Sequence, residues 1–326
     1  MREDKLLLGL LLLSTVVGLI YILGNVFTHQ YPNTGYLSLK WFVQVPVFLG
    51  LGIFSLFARK HSPRMAFLTW TYSIYFFMVM ALSTLMVGIE TTPFPTIDPL
   101  LVKADLLLGF HQLTVLNWTY AHHWILNTFN FCYSMMGVEL GLFPIILALM
   151  MQKKAVKVYL LTQVLAALIG FSIYYFFPTT APASMFMDPH FAMQQHDTFI
   201  KFFEIHHHLP ITTTQGGLIA FPSFHVIWSV LLAYAFKDKK YLFYPIAIFN
   251  AIIIASTVFL GWHYLTDVIG GFAVSALAIW IAETIYRHYI LNGEEPIKVK
   301  RKESKLAPAV WNMPLVRKEA SSRGFI

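Results

Sequence analysis

Eight long apolar segments limit this chain to few possible folds. They have few or no charges and lie near residues 5–27, 40–58, 66–89, 125–150, 157–177, 218–236, 241–262 and 266–289. A helix of about 20 apolar residues crosses the hydrocarbon core of a bilayer, where its backbone polar groups must be paired internally. Only 12% of the residues are charged and the mean hydropathy is +0.62, values that exclude an ordinary soluble domain. The sequence therefore predicts an all-α polytopic membrane helical bundle with about eight transmembrane helices.

The basic residues indicate how this bundle is oriented. Of the 23 Lys and Arg residues, only Lys40, Lys103 and Lys201 fall on one side of the predicted topology. Because cytoplasmic loops carry the excess of Lys and Arg, both termini are expected to face the cytoplasm. The basic C-terminal segment is then a topology determinant or a contact for anionic lipid, and we expect no nucleic-acid partner.

Two long connections, residues 90–124 and 178–217, fall on the opposite side, which is the periplasmic or luminal face. Connections of this length are uncommon unless they are functional. The first contains "IDPLLVKADLLLGFHQLTVLNW", whose spacing predicts a short interfacial helix that caps the bundle.

A polar cluster, "FPSFH", opens the sixth apolar segment at this face. Pro222 suits a first helical turn, and the unpaired N–H groups of a helix N-terminus attract anions. Ser223 could donate a hydrogen bond to a phosphate oxygen. His225 lies about one turn further along, where it could protonate a leaving oxygen.

A second polar pair lies between the seventh and eighth segments. His263 and Asp267 in "GWHYLTD" are four residues apart, so on a helix they share one face. A carboxylate bonded to one imidazole nitrogen fixes the tautomer and leaves the other nitrogen available as a nucleophile or a base.

The topology brings these two clusters to the same face. The sixth segment runs inward from His225, "KDKK" forms the turn, and the seventh segment returns to His263. Two imidazoles and a carboxylate near helix N-termini favour a phosphate ligand and phosphoryl transfer. We expect neither a metal nor a cofactor.

These residues resemble a known family. "GGLIAFPSFH" followed by "STVFLGWHYLTDVIGG" resembles two signature motifs of the type 2 phosphatidic acid phosphatase superfamily, nearest its inositol phosphorylceramide synthase branch. "HYLTDVIGGF" is also similar to the last motif of sphingomyelin synthases. The resemblance covers roughly residues 90–290 and implies a six-helix phosphatase-like core.

The resemblance also implies residue roles. His263 would attack phosphorus and form a phosphohistidine, Asp267 would orient it, and His225 would protonate the departing alkoxide. Ser223 would help hold the phosphoryl oxygens. The motifs add Gly217, Ser256 and Lys103 of "KADLLLGFH" to these phosphate-binding residues. The family's arginines are missing, since Thr257 follows Ser256 and no Arg-Pro pair is present, so Lys103 or Lys201 would substitute for them.

The predicted organisation is two N-terminal transmembrane helices (1–65), a six-helix catalytic membrane core (66–290) and a cytoplasmic basic tail (291–326). The favoured function is a metal-independent lipid phosphatase, with a phosphorylated lipid as substrate and the bilayer as its surroundings; the oligomeric state is open. One alternative is a lipid phosphotransferase that moves a phospho-headgroup to an alcohol acceptor. Another is a non-enzymatic lipid or proton-coupled transporter, whose site would lie near the bilayer midplane.

Overall fold

A computed structural model of the protein describes residues 2–32, 44–213, 215–216 and 220–288. Within these ranges the chain forms eleven α-helices, one short 3₁₀ turn at Pro182–Ser184 and no strand, which confirms the predicted all-α bundle. The helices are α1 (Arg2–Phe27), α2 (Gln44–Ala58), α3 (Pro63–Ile89), α4 (Asp98–Leu107), α5 (Gln112–Ala121), α6 (His123–Leu149), α7 (Lys153–Phe176), α8 (Met193–His206), α9 (Phe224–Ala235), α10 (Lys240–Phe259) and α11 (Leu265–Tyr286).

Six of the described helices are long and apolar enough to cross a membrane: α1, α3, α6, α7, α10 and α11. The pair α4 and α5, bent by 78°, would make a seventh crossing if counted as one broken span. The protein is therefore an integral membrane protein. The side of the membrane on which each end lies stays a prediction.

One of the predicted spans is shorter than expected. The helix predicted for residues 218–236 begins only at Phe224, because Ser223 takes the N-cap position and its hydroxyl accepts a hydrogen bond from the Val226 N–H. At about 1.5 Å per residue, the 12 residues of α9 are too short to cross a hydrocarbon core of about 30 Å. Helix α2 has 15 residues, and the start of its predicted span lies outside the described residues.

Helix α7 lies at the centre of the bundle. It packs against α1, α3, α6, α9 and α11, and 67% of its most apolar stretch is buried. Helices α1 and α2 pack against α3 on one side of this core. The other side is built from α6, α9, α10 and α11, so the helices that carry the histidine motifs are neighbours.

The first long connection forms two helices where one was predicted. Helix α4 ends because Gly109 adopts a left-handed conformation, with φ of 74°. The Phe110 N–H then bonds the Asp105 carbonyl and the Gly109 N–H bonds that of Leu106, the pattern that commonly closes a helix. The second long connection contains the 3₁₀ turn and α8.

The described residues belong to one compact unit. The predicted basic tail lies outside the described residues. The predicted boundary at residue 65 stays a prediction.

Candidate active site

His263 lies in the turn that joins α10 to α11. Gly261, two residues after the end of α10, has φ of 77° and lets the Trp262 N–H reach back 2.9 Å to the Thr257 carbonyl. The His263 N–H bonds the same carbonyl at 3.0 Å. A Cβ at Gly261 would come within 2.7 Å of the Phe191 ring, so both the conformation and the space require glycine. This tight helix end therefore fixes where the His263 backbone lies.

Asp267 holds the His263 imidazole. Its Oδ2 lies 3.2 Å from Nδ1 of His263 and accepts a hydrogen bond of 2.9 Å from the Tyr264 N–H. Asp267 is fully buried and His263 is 4% exposed. Burial lowers the pKa of His263 to about 4, opposed in part by a hydrogen bond to the Ala220 backbone. The ring is therefore neutral near pH 7, as a nitrogen nucleophile must be.

His225 lies in the first turn of α9 and faces His263. The centroids of the two rings are 5.6 Å apart, with their planes at 63°. The convergence of the two histidines that the topology predicted is present in the structure. One phosphoryl group between the rings would be within reach of both.

Helices α9 and α11 are joined at their N-terminal ends. The Ser223 N–H donates to the Asp267 carbonyl at 3.1 Å. Gly271, one turn further along α11, lies so close to α9 that a Cβ there would be 2.8 Å from the Ser223 carbonyl oxygen. This close approach sets the distance between the helix that carries His225 and the one that begins beside His263.

Two aspartates from α4 brace the start of α11. The carboxylate of Asp105 accepts hydrogen bonds from the N–H groups of Leu265 and Thr266, each at 2.9 Å, and from the Thr266 hydroxyl. These donors are the N–H groups that a helix N-terminus leaves without partners. Asp105 therefore caps the helix that carries Asp267.

Asp98 links the second long connection, which contains Thr180, to Tyr264 at the start of α11. It accepts hydrogen bonds from the Thr180 N–H at 2.9 Å and from the Tyr264 hydroxyl at 3.0 Å. Sequence reasoning missed Asp98 and missed the capping role of Asp105. Asp98 and Asp105 are seven residues apart and therefore lie on one face of a helix. This spacing is the sequence signal that could have found them.

An aromatic stack supports His225 from the side. The Tyr133 ring stacks on His225 with centroids 4.4 Å apart and planes at 21°, and Trp262 stacks on Tyr133 at 5.3 Å and 11°. Stacking of this kind restricts the rotation of an imidazole. Neither aromatic residue was predicted, because Tyr133 lies within an apolar helix that has many aromatic side chains.

The predicted phosphate-binding residues lie in different surroundings. Ser223 is buried and caps α9, so its oxygen accepts from Val226 while its O–H remains a donor. Ser256 is buried and donates to the Ile253 carbonyl of its own helix at 2.6 Å. Lys103 is exposed on α4. Gly217 lies outside the described residues.

Lys201, the other proposed substitute for arginine, is 2% exposed on α8. Its ammonium lies 3.5 Å from the Gln215 carbonyl. Burial lowers the pKa of Lys201 below its ordinary value, against the opposing negative charges of Glu90 and Asp197. The phosphate-binding roles of Lys103, Lys201, Ser223 and Ser256 stay predictions.

The arrangement provides a buried imidazole bonded to a carboxylate, a second imidazole facing it, and two further hydrogen-bonded carboxylates. Among the described residues, no group of three or more His, Cys, Asp or Glu side chains is placed to hold a metal ion. The sequence has no arginine between Arg64 and Arg287. The chemistry that this geometry supports is attack by an imidazole nitrogen, with a second imidazole nearby to transfer a proton.

Comparison with known families agrees with this geometry. The family model of the PAP2 superfamily matches residues 99–281, which is more than half of the chain and includes both histidines, Asp105 and Asp267. Comparisons with curated proteins and with solved structures found no match. By the extent of the family match, the chain belongs to the PAP2 superfamily.

Proposed function

We propose that this protein is a membrane lipid phosphatase that hydrolyses a phosphate ester or pyrophosphate of a lipid through a phosphohistidine on His263. The observation that carries the proposal is the pair of imidazoles with ring centroids 5.6 Å apart, one of them buried and bonded to Asp267. Membership in a superfamily of phosphatases and phosphotransferases supports the reaction class.

The proposed reaction has two displacements at phosphorus. The Nε2 lone pair of His263 attacks the phosphorus while Asp267 accepts the Nδ1 proton's hydrogen bond and stabilises the developing positive charge on the ring. His225 gives a proton to the departing lipid oxygen as the P–O bond breaks. Burial lowers the pKa of the His225 ring to about 3, so the proposal requires the negative charge of the bound phosphate to favour the protonated ring. Neutral His225 then takes a proton from water, which attacks the phosphohistidine and releases inorganic phosphate and His263.

The proposed location of this chemistry is the periplasmic or luminal face. The support is the charge distribution, because 20 of the 23 Lys and Arg residues lie on the other side of the predicted topology. The histidine pair lies at the ends of α9, α10 and α11 that are opposite to the "KDKK" turn.

A second candidate function is a phosphotransferase that passes a phospho-headgroup to an alcohol. The absence of arginine between Arg64 and Arg287, with Asp98, Asp105 and Asp267 around the turn at His263, favours it. Carboxylates repel a phosphomonoester dianion more than a singly charged phosphodiester. The phosphatase needs only water in its second step and is the simpler proposal.

The proposal is tested by phosphate release in detergent with EDTA present. Phosphatidic acid, diacylglycerol pyrophosphate and polyprenyl pyrophosphate serve as substrates, and we expect release from at least one of them at an undiminished rate in the chelator. A transporter would release no phosphate, and a metalloenzyme would be silenced by EDTA. A phosphotransferase would transfer the labelled headgroup when an alcohol acceptor is added.

Replacing His225 by Ala should affect substrates according to their leaving groups. We expect turnover of alkyl phosphates to fall by roughly a hundredfold to ten-thousandfold, as for loss of a general acid, and that of aryl phosphate analogues to fall much less. The measurement is kcat against leaving-group pKa. His207→Ala, whose ring lies outside the pair and contacts the Phe203 carbonyl, is the control. Equal losses across the series would exclude the acid role.

Gly271→Ala should lower turnover without touching a reacting atom. The new methyl group would lie 2.8 Å from the Ser223 carbonyl, so α9 must move and carry His225 away from His263. A displacement near 1 Å costs about a hundredfold in rate. Gly137→Ala is the matched control, because nothing lies within 4 Å of a Cβ at that helical glycine. Equal turnover in the two variants would mean that the helix contact does not position His225.

A further inference from the structure

A cavity of about 270 Å³ lies at the end of the bundle opposite to the histidine pair. It opens beside Lys153 at the start of α7, whereas the other end of α7 leads to Thr180 and the active-site turn. The 24 residues of α7 separate the two places by about 36 Å at 1.5 Å per residue. This cavity, here called the basic pocket, is therefore not part of the catalytic site.

Three cations line the basic pocket. Arg59 follows the last residue of α2, and Lys153 and Lys157 lie one turn apart on one face of α7. Among the side chains that the structure describes, the one acidic group in the lining is that of Asp4, whose Oδ1 is 3.7 Å from the Lys157 ammonium. These described side chains give the pocket two positive charges in excess, contributed by helices that are distant in sequence.

Aromatic rings form the inner wall of the basic pocket. The Lys153 ammonium lies 5.9 Å from the centroid of Phe67, and that of Lys157 lies 5.9 Å from Trp70. At these distances the ring faces attract the ammonium groups, which keeps both cations at the pocket. Tryptophan is also enriched at the boundary between hydrocarbon and water, which is where a lipid headgroup lies.

An apolar surface leads away from the pocket along α2. The large side chains of Ile53, Phe54, Leu56 and Phe57 are all exposed, between 51% and 72%. The last of them, Phe57, is two residues before Arg59. A ligand with a phosphate at one end and hydrocarbon at the other would find both charge and apolar surface here.

We propose that the basic pocket binds the phosphate headgroup of an anionic phospholipid, with its acyl chains along α2. Basic pockets between membrane helices on the cytoplasmic side bind such headgroups through charge. This pocket lies at the end of the bundle that has all but two, Lys103 and Lys201, of the Lys and Arg residues that the structure describes. The lipid is a bound component of the fold and not the substrate. The proposal is independent of the proposed function.

The test is lipid binding to the full-length protein in neutral detergent, measured by native mass spectrometry. The probes are phosphatidylglycerol, zwitterionic phosphatidylcholine and inorganic phosphate. The variant Arg59→Gln/Lys153→Gln should bind phosphatidylglycerol about tenfold or more weakly than the unaltered protein, given what each cation contributes near a charged surface. The control Lys239→Gln/Lys240→Gln removes the same charge from the α9–α10 turn and should bind it normally.

Equal loss in the control, or undiminished binding by the pocket variant, would overturn the proposal in favour of diffuse surface charge. Phosphatidylcholine bound as tightly as phosphatidylglycerol, or inorganic phosphate displacing the lipid at micromolar concentration, would also overturn it. If the Arg59→Gln/Lys153→Gln variant does not fold, the proposal is tested instead with an amine-reactive label on the unaltered protein. Phosphatidylglycerol should protect Lys153 and leave Lys240 reactive, and equal labelling of Lys153 with and without lipid would contradict the assignment.

Discussion

Replacing His263 by Ala is expected to abolish turnover, with kcat lowered at least about a thousandfold, because His263 is the imidazole of the pair that a carboxylate orients for attack. The change removes a ring that is 4% exposed and bonded to Asp267, so the loss should come from chemistry and not from substrate binding. The measurements are kcat and the label retained on the protein after a rapid alkaline quench with a ³²P substrate. The label should be acid-labile in the unaltered protein and absent from the variant.

His190→Ala is the matched control. His190 also has a carboxylate neighbour, Asp188, with Nδ1 and Oδ1 2.9 Å apart, but it is near the surface and contacts Asn117. This variant should keep its turnover and its label. Full turnover in a folded His263→Ala protein would contradict the covalent mechanism.

Asp267→Asn should lower kcat by roughly a thousandfold or more, with little change in KM. An amide can donate to Nδ1, which favours the wrong imidazole tautomer, and it cannot stabilise a charged ring; the same change in a serine-protease triad has an effect of about ten-thousandfold. Asn can still accept the Tyr264 N–H through its amide oxygen, so the start of α11 should persist. Steady-state kinetics and a melting temperature separate the two effects.

The control for this change is Asp188→Asn, which alters the surface His–Asp pair. Its kcat should be unchanged. A large rise in KM with unchanged kcat for Asp267→Asn would instead place Asp267 in substrate binding. Loss of folding in Asp267→Asn would be visible as a lowered melting temperature, and Asp267→Glu would then show whether a carboxylate restores turnover.

Much of the fold could be predicted because a bilayer imposes a simple length rule on helices. The segments predicted at 66–89, 125–150, 157–177, 241–262 and 266–289 correspond to α3, α6, α7, α10 and α11 within a few residues. Helix α9 was predicted too long, since hydropathy does not register the serine cap that delays its start. The two long connections have mixed polarity, so hydropathy gives no clear signal for the bounds of their helices. The bounds of α4, α5 and α8 depend on tertiary contacts instead.

The convergence of His225 and His263 could be predicted because its signals are local or topological. A spacing of four residues places Asp267 beside His263, and alternation of the spans brings His225 to the same end. The bracing contacts were out of reach, since Asp105 meets Leu265 and Thr266 about 160 residues later in the chain. The stack of Tyr133 on His225 depends on how α6 is rotated, which sequence periodicity does not determine in an evenly apolar helix.

The stereochemical course at phosphorus tests the covalent mechanism most directly. The substrate is a lipid phosphorothioate made chiral with ¹⁸O, hydrolysed in ¹⁷O water, and the configuration of the released thiophosphate is determined. Attack by His263 followed by attack by water inverts phosphorus twice, so the account predicts net retention. Net inversion would show a single direct attack by water and would contradict the phosphohistidine.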